Sequence, residues 1–229
     1  MSNFRICEGV SWEIANGQSG IARFSESELS KHPSIENLVR FACTGQLLPR
    51  LGETIGRGSL GVVKGVIGEP DLVAKLHSEP FSNTAVNIAL AAGLANVDRP
   101  ILLDAPRYLA HLQPFNSGAG HTAVTIMSKV DGVNLSCLFT TPDQHQSFRE
   151  SEEREQIIKI GSEALLSVGI NPDTAYWPDA HENNLMVPLG TQTLREAYGL
   201  PMTIIDVPNK DWAEDYKSRY CRQEMLLQV

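Results

Sequence analysis

Strands precede helices along this chain, and that order predicts an α+β fold in two lobes. Two stretches carry the prediction. Residues 46–77 hold three short runs rich in Leu, Val and Ile, bounded by Gly, Pro and Asp; such runs read as an antiparallel meander. Residues 150–169, "ESEEREQIIKIGSEALLSVG", read as the best helix in the chain. Acidic residues fill its first turn, Ile157, Ile160, Ala164, Leu165 and Val168 line one face, and Gly169 ends it.

The elements follow in order. Residues 1–45 form a leader with short helices. "MSNFRICEGVSWEIANGQSG" lacks the basic start and apolar block of a cleaved secretory signal. It reads as a frayed leader or as the non-cleaved address of a specialised secretion machine. Beyond it, Ser34 can cap a helix striped by Ile35, Leu38, Val39 and Ala42. "LLPRLGETIG" is a first strand, "GVVKGVIG" a second, "EPD" a turn and "DLVAKLH" a third strand. "SNTAVNIALAAGLANV" is Ala-rich and helix-prone. "RPILLDAPRYLAHLQPF" holds strand-like pieces, "HTAVTIMSKV" is a buried strand, and "DGVNL" turns away. After the long helix, two short strands flank a hairpin in "NNLMVPLGTQTLREAYGLPMTIIDV", and a terminal helix spans 209–229. The expected divisions are 1–45, an N-lobe over 46–130 and a C-lobe over 131–229.

Composition removes several function classes. The net charge is -8 with a pI near 5.2, which argues against a nucleic-acid partner, since phosphate backbones call for basic patches. No apolar run has membrane-spanning length, so no span is expected. Cys7, Cys43, Cys137 and Cys221 are scattered, without a CxxC pair. Reduced thiols in a cytosol are expected rather than a zinc site. A monomer is expected.

The chemistry-bearing residues lie in a set order. Gly56, Gly58 and Gly61 form a glycine turn between antiparallel strands, "GRGSLGVV". Without Cβ atoms, such a turn brings backbone N–H groups close to phosphates; without further support it is a flexible hairpin. Fourteen residues after Gly61 comes Lys75, in "LVAKL". A lysine among Val73, Ala74 and Leu76 either meets an anion or faces solvent from an edge strand. In "WPDAHENNLMV", Asp179 and Asn184 are five apart. An aspartate can take a proton from an attacking hydroxyl, and an asparagine carbonyl five residues on can hold a hard cation. Asp206 follows an apolar strand in "MTIIDVPN", a good place for a magnesium ligand. Each part alone also reads as an ordinary turn or surface residue. Together they are the parts of phosphoryl transfer in the kinase arrangement.

On these motifs the chain resembles the protein-kinase-like enzymes over about residues 47–210. "GRGSLGVV" resembles the Gly-x-Gly-x-x-Gly-x-Val loop and "LVAK" the third-strand Val-Ala-x-Lys. "TIMSKVDGVNL" resembles the fifth strand and hinge, "DAHENN" the catalytic loop, and "IIDVPN" the metal-binding Asp-Phe-Gly segment. The resemblance implies a two-lobed minimal kinase fold with an antiparallel-sheet N-lobe and a truncated helical C-lobe. It implies ATP and Mg2+ as cofactors. Gly56, Gly58 and Gly61 would cover the phosphates and Lys75 would hold them. Val63 and Val73 would roof the adenine, with Met127 as gatekeeper and Val130 in the strip that contacts the base. Asp179 would be the catalytic base, His181 would touch the transferred phosphoryl group, and Asn184 and Asp206 would bind magnesium.

Three departures qualify the pattern. Val207 and Pro208 replace the Phe-Gly after Asp206. The helix after Lys75 has no glutamate, offering Asn87, with Glu79 as a partner from an odd position. Only 23 residues follow Asp206, too few for an activation segment and the usual later helices. In this the chain is similar to minimal kinases among bacterial type III secreted effectors, and in size and layout to the HopBF-type family. That resemblance implies a serine/threonine kinase, secreted into a host cytoplasm, that phosphorylates and disables the eukaryotic HSP90 chaperone. Two alternatives stand beside it. "DAHENN" fits the Asp-x-His-x-x-Asn of aminoglycoside-type phosphotransferases, and the acidic charge suits a cationic substrate. The missing glutamate suits an ATP-binding pseudokinase.

Overall fold

Strands rich in Val, Leu and Ile build the central sheet, some of them buried over consecutive residues. The computed structural model describes residues 4–6, 12–15, 18–22, 37–38, 41, 46–58, 61–78, 84–98, 103–112, 120–171 and 181–206. The chain divides into two units: Met1–Ile88 with Pro106–Val130, and Ala89–Ala105 with Asp131–Val229.

The first unit holds six antiparallel strands: β1 (Phe4–Ile6), β4 (Leu51–Gly58), β5 (Gly61–Val66), β6 (Glu69–His77), β8 (Tyr108–Leu112) and β9 (Ala123–Ser128). Their order is β1-β8-β9-β6-β5-β4. A separate pair, β2 (Trp12–Ala15) and β3 (Gln18–Ala22), is also antiparallel. Leu72, Ala74 and Leu76 of β6 join Val124, Ile126, Leu109, Val66 and Leu51 in one core, covered by Leu38 and Leu47 with Phe41 and Leu48 against them. Burying each such leucine contributes about 1.5–3 kcal/mol. The helical residues expected near 34–42 therefore include two that help close this face, and Arg50 stacks over the Phe41 ring at 4.5 Å.

Two local readings change. "LLPRLGETIG" does not begin as strand: Leu48–Arg50 is a 3-10 turn, and β4 starts at Leu51. Pro49 lacks the N–H a ladder needs. The turn assigned to "EPD" lies earlier, at Ile67 and Gly68. Gly68 has φ +85°, a left-handed conformation that glycine adopts without penalty. Glu69 and Pro70 already belong to β6, and the β5–β6 register shifts there, where a proline is tolerated.

Helix α1 (Thr84–Leu94) starts in the first unit and ends in the second. The second unit has a four-stranded sheet, β10 (Gly132–Asn134), β11 (Leu185–Pro188), β12 (Met202–Ile204) and β7 (Leu103–Asp104), in that order. β12 and β7 are parallel and the other pairs antiparallel. "DGVNL" thus contributes a strand rather than a simple exit. Helix α3 (Glu152–Ser167) is the long helix the sequence predicts. Ser151 Oγ accepts from the Arg154 N–H at 3.2 Å, and Ile157, Ile160, Ala164 and Leu165 are buried. Gly169 follows it at φ +78°. Helix α2 (Pro142–Arg149) was not predicted: it is polar and buries only Phe148, so no apolar stripe announces it. Its start is nonetheless well formed, with a Thr141/Gln144 capping box and Pro142 in the first turn. The hairpin expected between β11 and β12 contains a short helix, α4 (Leu194–Ala197), with its own Thr193/Glu196 capping box. The terminal helix expected over 209–229 lies outside the described residues.

The α+β class with an antiparallel first sheet is the one observed. Its elements run in the order glycine hairpin, lysine strand, helix, buried strand, long helix and a strand pair flanked by Asn184 and Asp206.

Candidate active site

Strand register places the candidate residues of the first unit. Val63 lies opposite Lys75, Lys75 opposite Thr125, and Val73 opposite Met127. Directly opposed residues share a sheet face, and alternation along β6 puts Lys75 and Val73 on the face away from Leu72, Ala74 and Leu76. Val63, Val73, Lys75 and Met127 therefore share one face. Val73 and Met127 are buried and Lys75 is half-buried. Beside Lys75, Thr125 Oγ1 lies 2.8 Å from His77 Nε2 and 3.0 Å from His111 Nδ1. One hydroxyl can serve both rings, donating to one and accepting from the other. Val130 closes this unit, just after the Lys129 N–H bonds to the Asp71 carbonyl at 2.7 Å. Asn87 is buried on α1.

The three glycines differ in what requires them. A Cβ on Gly61 would meet the Leu76 carbonyl oxygen at 2.1 Å, so the neighbouring strand alone demands glycine there. A Cβ on Gly58 would meet nothing within 4 Å, and one on Gly56 only the Val63 Cβ at 3.8 Å. Strand packing does not require glycine at these two positions.

In the second unit, candidate residues flank β11 and β12. The Ile205 N–H donates to the Asn184 carbonyl at 2.9 Å, continuing the pairing of Leu185 with Ile204. Asn184 thus pairs with Ile205, the residue before Asp206, and Asn184 and Asp206 are both half-buried. Glu182–Asn184 is a single 3-10 turn. His181 Nδ1 accepts the Asn183 N–H at 3.2 Å, so the neutral ring carries its proton on Nε2. The Asn184 N–H returns to the His181 carbonyl at 2.8 Å, and Asn134 Nδ2 donates to the Asn183 carbonyl. Asp179, Glu79, Val207 and Pro208 lie outside the described residues.

Glu182, which the sequence reading passed over, is the buried carboxylate of this turn, only 1% exposed. Its Oε1 accepts from His145 Nδ1 at 2.8 Å, with Arg149 Nη2 at 3.5 Å. Oε2 lies 3.6 Å from His181 Nδ1 and has no hydrogen-bond partner. Burial pushes the Glu182 pKa up. The His145 hydrogen bond, the backbone, nearby His181 and the Arg149 charge outweigh burial and hold it below the usual carboxylate value. Stability from this charge is then fully present above the unfolded-state pKa and is lost as the pH falls through the lower folded-state pKa. Urea unfolding across the acid range should show wild type losing stability more steeply than Glu182→Gln below the usual carboxylate pKa. Equal slopes would refute the assignment. The signal available in the sequence was a glutamate set between a histidine and an apolar strand; its partners sit on α2, whose polar sequence hid the helix.

No protein-family model matches the chain, and no curated protein matches it. Solved structures similar to it include APH(2")-IIia in complex with GDP and kanamycin, 12% identical over 79% of this chain and 74% of that one, with a TM-score of 0.38. Another is the autoinhibited serine kinase domain of the giant muscle protein titin, 17% identical over 67% of this chain and 43% of that one, TM-score 0.33. A third is Rv3197 from Mycobacterium tuberculosis in complex with erythromycin, 15% identical over 81% of this chain and 57% of that one, TM-score 0.36. These are distant likenesses, and the functional reading rests on this chain's own residues.

Proposed function

We propose that the chain is an ATP- and Mg2+-dependent phosphotransferase acting on a protein serine or threonine. The observation that supports it most is the Ile205–Asn184 bond, which pairs Asn184 with the residue before Asp206. An amide oxygen and a carboxylate are the hard donors that Mg2+ takes alongside phosphate oxygens. The shared face of Val63, Val73, Lys75 and Met127 adds apolar contact for a base and an ammonium for its phosphates.

In this reading Lys75 and the backbone around Gly56 and Gly58 hold and orient the phosphates. Val63, Val73, Met127 and Val130 hold the adenine. Asp179 takes the proton from the acceptor hydroxyl as it attacks. His181, with its proton on Nε2, can donate to an oxygen of the transferred group. Bound Mg2+ would supply charge neutralisation on the phosphates. The HopBF-type resemblance supplies the first acceptor to offer, the HSP90 chaperone, and with it an effector secreted into a host cytoplasm.

The test is transfer of labelled γ-phosphate from Mg-ATP, with HSP90, a generic basic protein and an aminoglycoside offered in parallel. Label on the chaperone, absent with Asp179→Ala, is the expected result. Label on the aminoglycoside alone would replace the protein acceptor with a small molecule. Nucleotide binding without transfer to any acceptor would make the chain a pseudokinase.

A further inference from the structure

Among the described residues, Glu182 is the buried Asp or Glu side chain. Taking a carboxylate out of water costs several kcal/mol, and an apolar side chain would pack the turn against α2 without that cost. Something more than packing has to account for the charge. Its two basic partners, His145 and Arg149, are one turn apart on the same face of α2, so Oε1 is held from one helix face. From there a run of contacts leads to Asp206. Glu182 Oε2 faces His181 Nδ1 at 3.6 Å. That nitrogen takes the Asn183 N–H, the His181 carbonyl takes the Asn184 N–H, and the Asn184 carbonyl takes the N–H of Ile205, the residue before Asp206.

We propose that Glu182 is a positioning residue: its carboxylate, held by α2, locks the 181–184 turn so that Asn184 keeps its pairing with Ile205 and its place as an oxygen donor to the divalent cation of a bound nucleotide. The proposal rests on the phosphotransferase reading above. A carboxylate suits this place where an amide does not. Oε2 accepts only, so it leaves the His181 Nδ1 lone pair to the Asn183 N–H. A glutamine would set an NH2 there, a donor that competes for that lone pair and loosens the turn with almost no change in volume.

The probe is Mn2+, titrated by electron paramagnetic resonance into the full chain saturated with ADP. ADP binding without metal and thermal unfolding are measured alongside. Glu182→Gln should weaken Mn2+ binding about tenfold or more, as loss of a group that orients metal ligands does. Metal-free ADP affinity should be unchanged. His145→Ala, which removes the 2.8 Å bond from a partly exposed side chain, should weaken Mn2+ in the same direction, and the double variant should be less than additive. Wild-type Mn2+ affinity in both single variants would overturn the proposal. If Glu182→Gln fails to fold, His145→Ala alone decides it. A wild-type chain that binds no Mn2+ with ADP would overturn the phosphotransferase reading and this proposal together. That outcome is distinct, because it appears before any variant is compared.

Discussion

Asp206→Asn is expected to lower phosphoryl transfer about a thousandfold. The change removes one negative charge and keeps the volume. A metal at a transferring phosphoryl group is worth several kcal/mol of transition-state stabilisation, and each 1.36 kcal/mol is a factor of about ten in rate. Asp206 sits two residues past β12, next to Ile205, whose N–H bonds to the Asn184 carbonyl. The loss should fall on kcat and on the Mg2+ concentration needed, while ADP binding without metal holds. It should also exceed the loss in Glu182→Gln, since a direct ligand outweighs a group that orients one. Steady-state kinetics across a Mg2+ titration would check this. Transfer at the wild-type rate would remove Asp206 from the site.

Gly93→Ala is expected to destabilise the fold, although alanine is the better helix former. A Cβ at Gly93 would lie 1.9 Å from the Ala164 carbonyl oxygen and 2.5 Å from its carbonyl carbon. These are backbone atoms of α3 and cannot rotate away as a side chain does. Helix propensity favours alanine by about 1 kcal/mol. Overpacking of this kind costs about 1–3 kcal/mol or more, so the clash wins. The two helices also meet through Ser167 Oγ, 3.5 Å from the Gly93 carbonyl, so separating them loosens a polar contact as well. Tm should fall by several degrees, at roughly 2–4 °C per kcal/mol for a chain of this size. Gly65→Ala is the control, because a Cβ there meets nothing within 4 Å. Equal Tm values for the two variants would refute the close helix approach.

Legibility followed the strength of each local signal. The sheet strands around Lys75 stood out as Val- and Leu-rich runs bounded by Gly, Pro and Asp, and the helix 152–167 by its apolar stripe and acidic first turn. The order of the motif residues carried the expected order of strands and helices. Helix α2 did not stand out, because a helix that buries one phenylalanine leaves no periodic trace. Glu182 was missed with it, since its partners His145 and Arg149 lie on α2. Sequence patterns register what a residue's neighbours along the chain require. They do not register a contact between a turn and a helix more than thirty positions earlier. The glycine triplet shows a related gap. Its spacing suggested one shared purpose, yet the close approach of Leu76 requires glycine only at Gly61.

The alternation along β6 has an evolutionary consequence. Leu72, Ala74 and Leu76 belong to the core that holds the first unit together. Val73, Lys75 and His77 occupy the opposite face. Selection for a stable scaffold and selection on the lysine face therefore act on interleaved residues of one strand, with few shared positions. A lineage built on this strand can change its chemistry at half-buried Lys75 and still inherit the core of Leu72, Ala74 and Leu76.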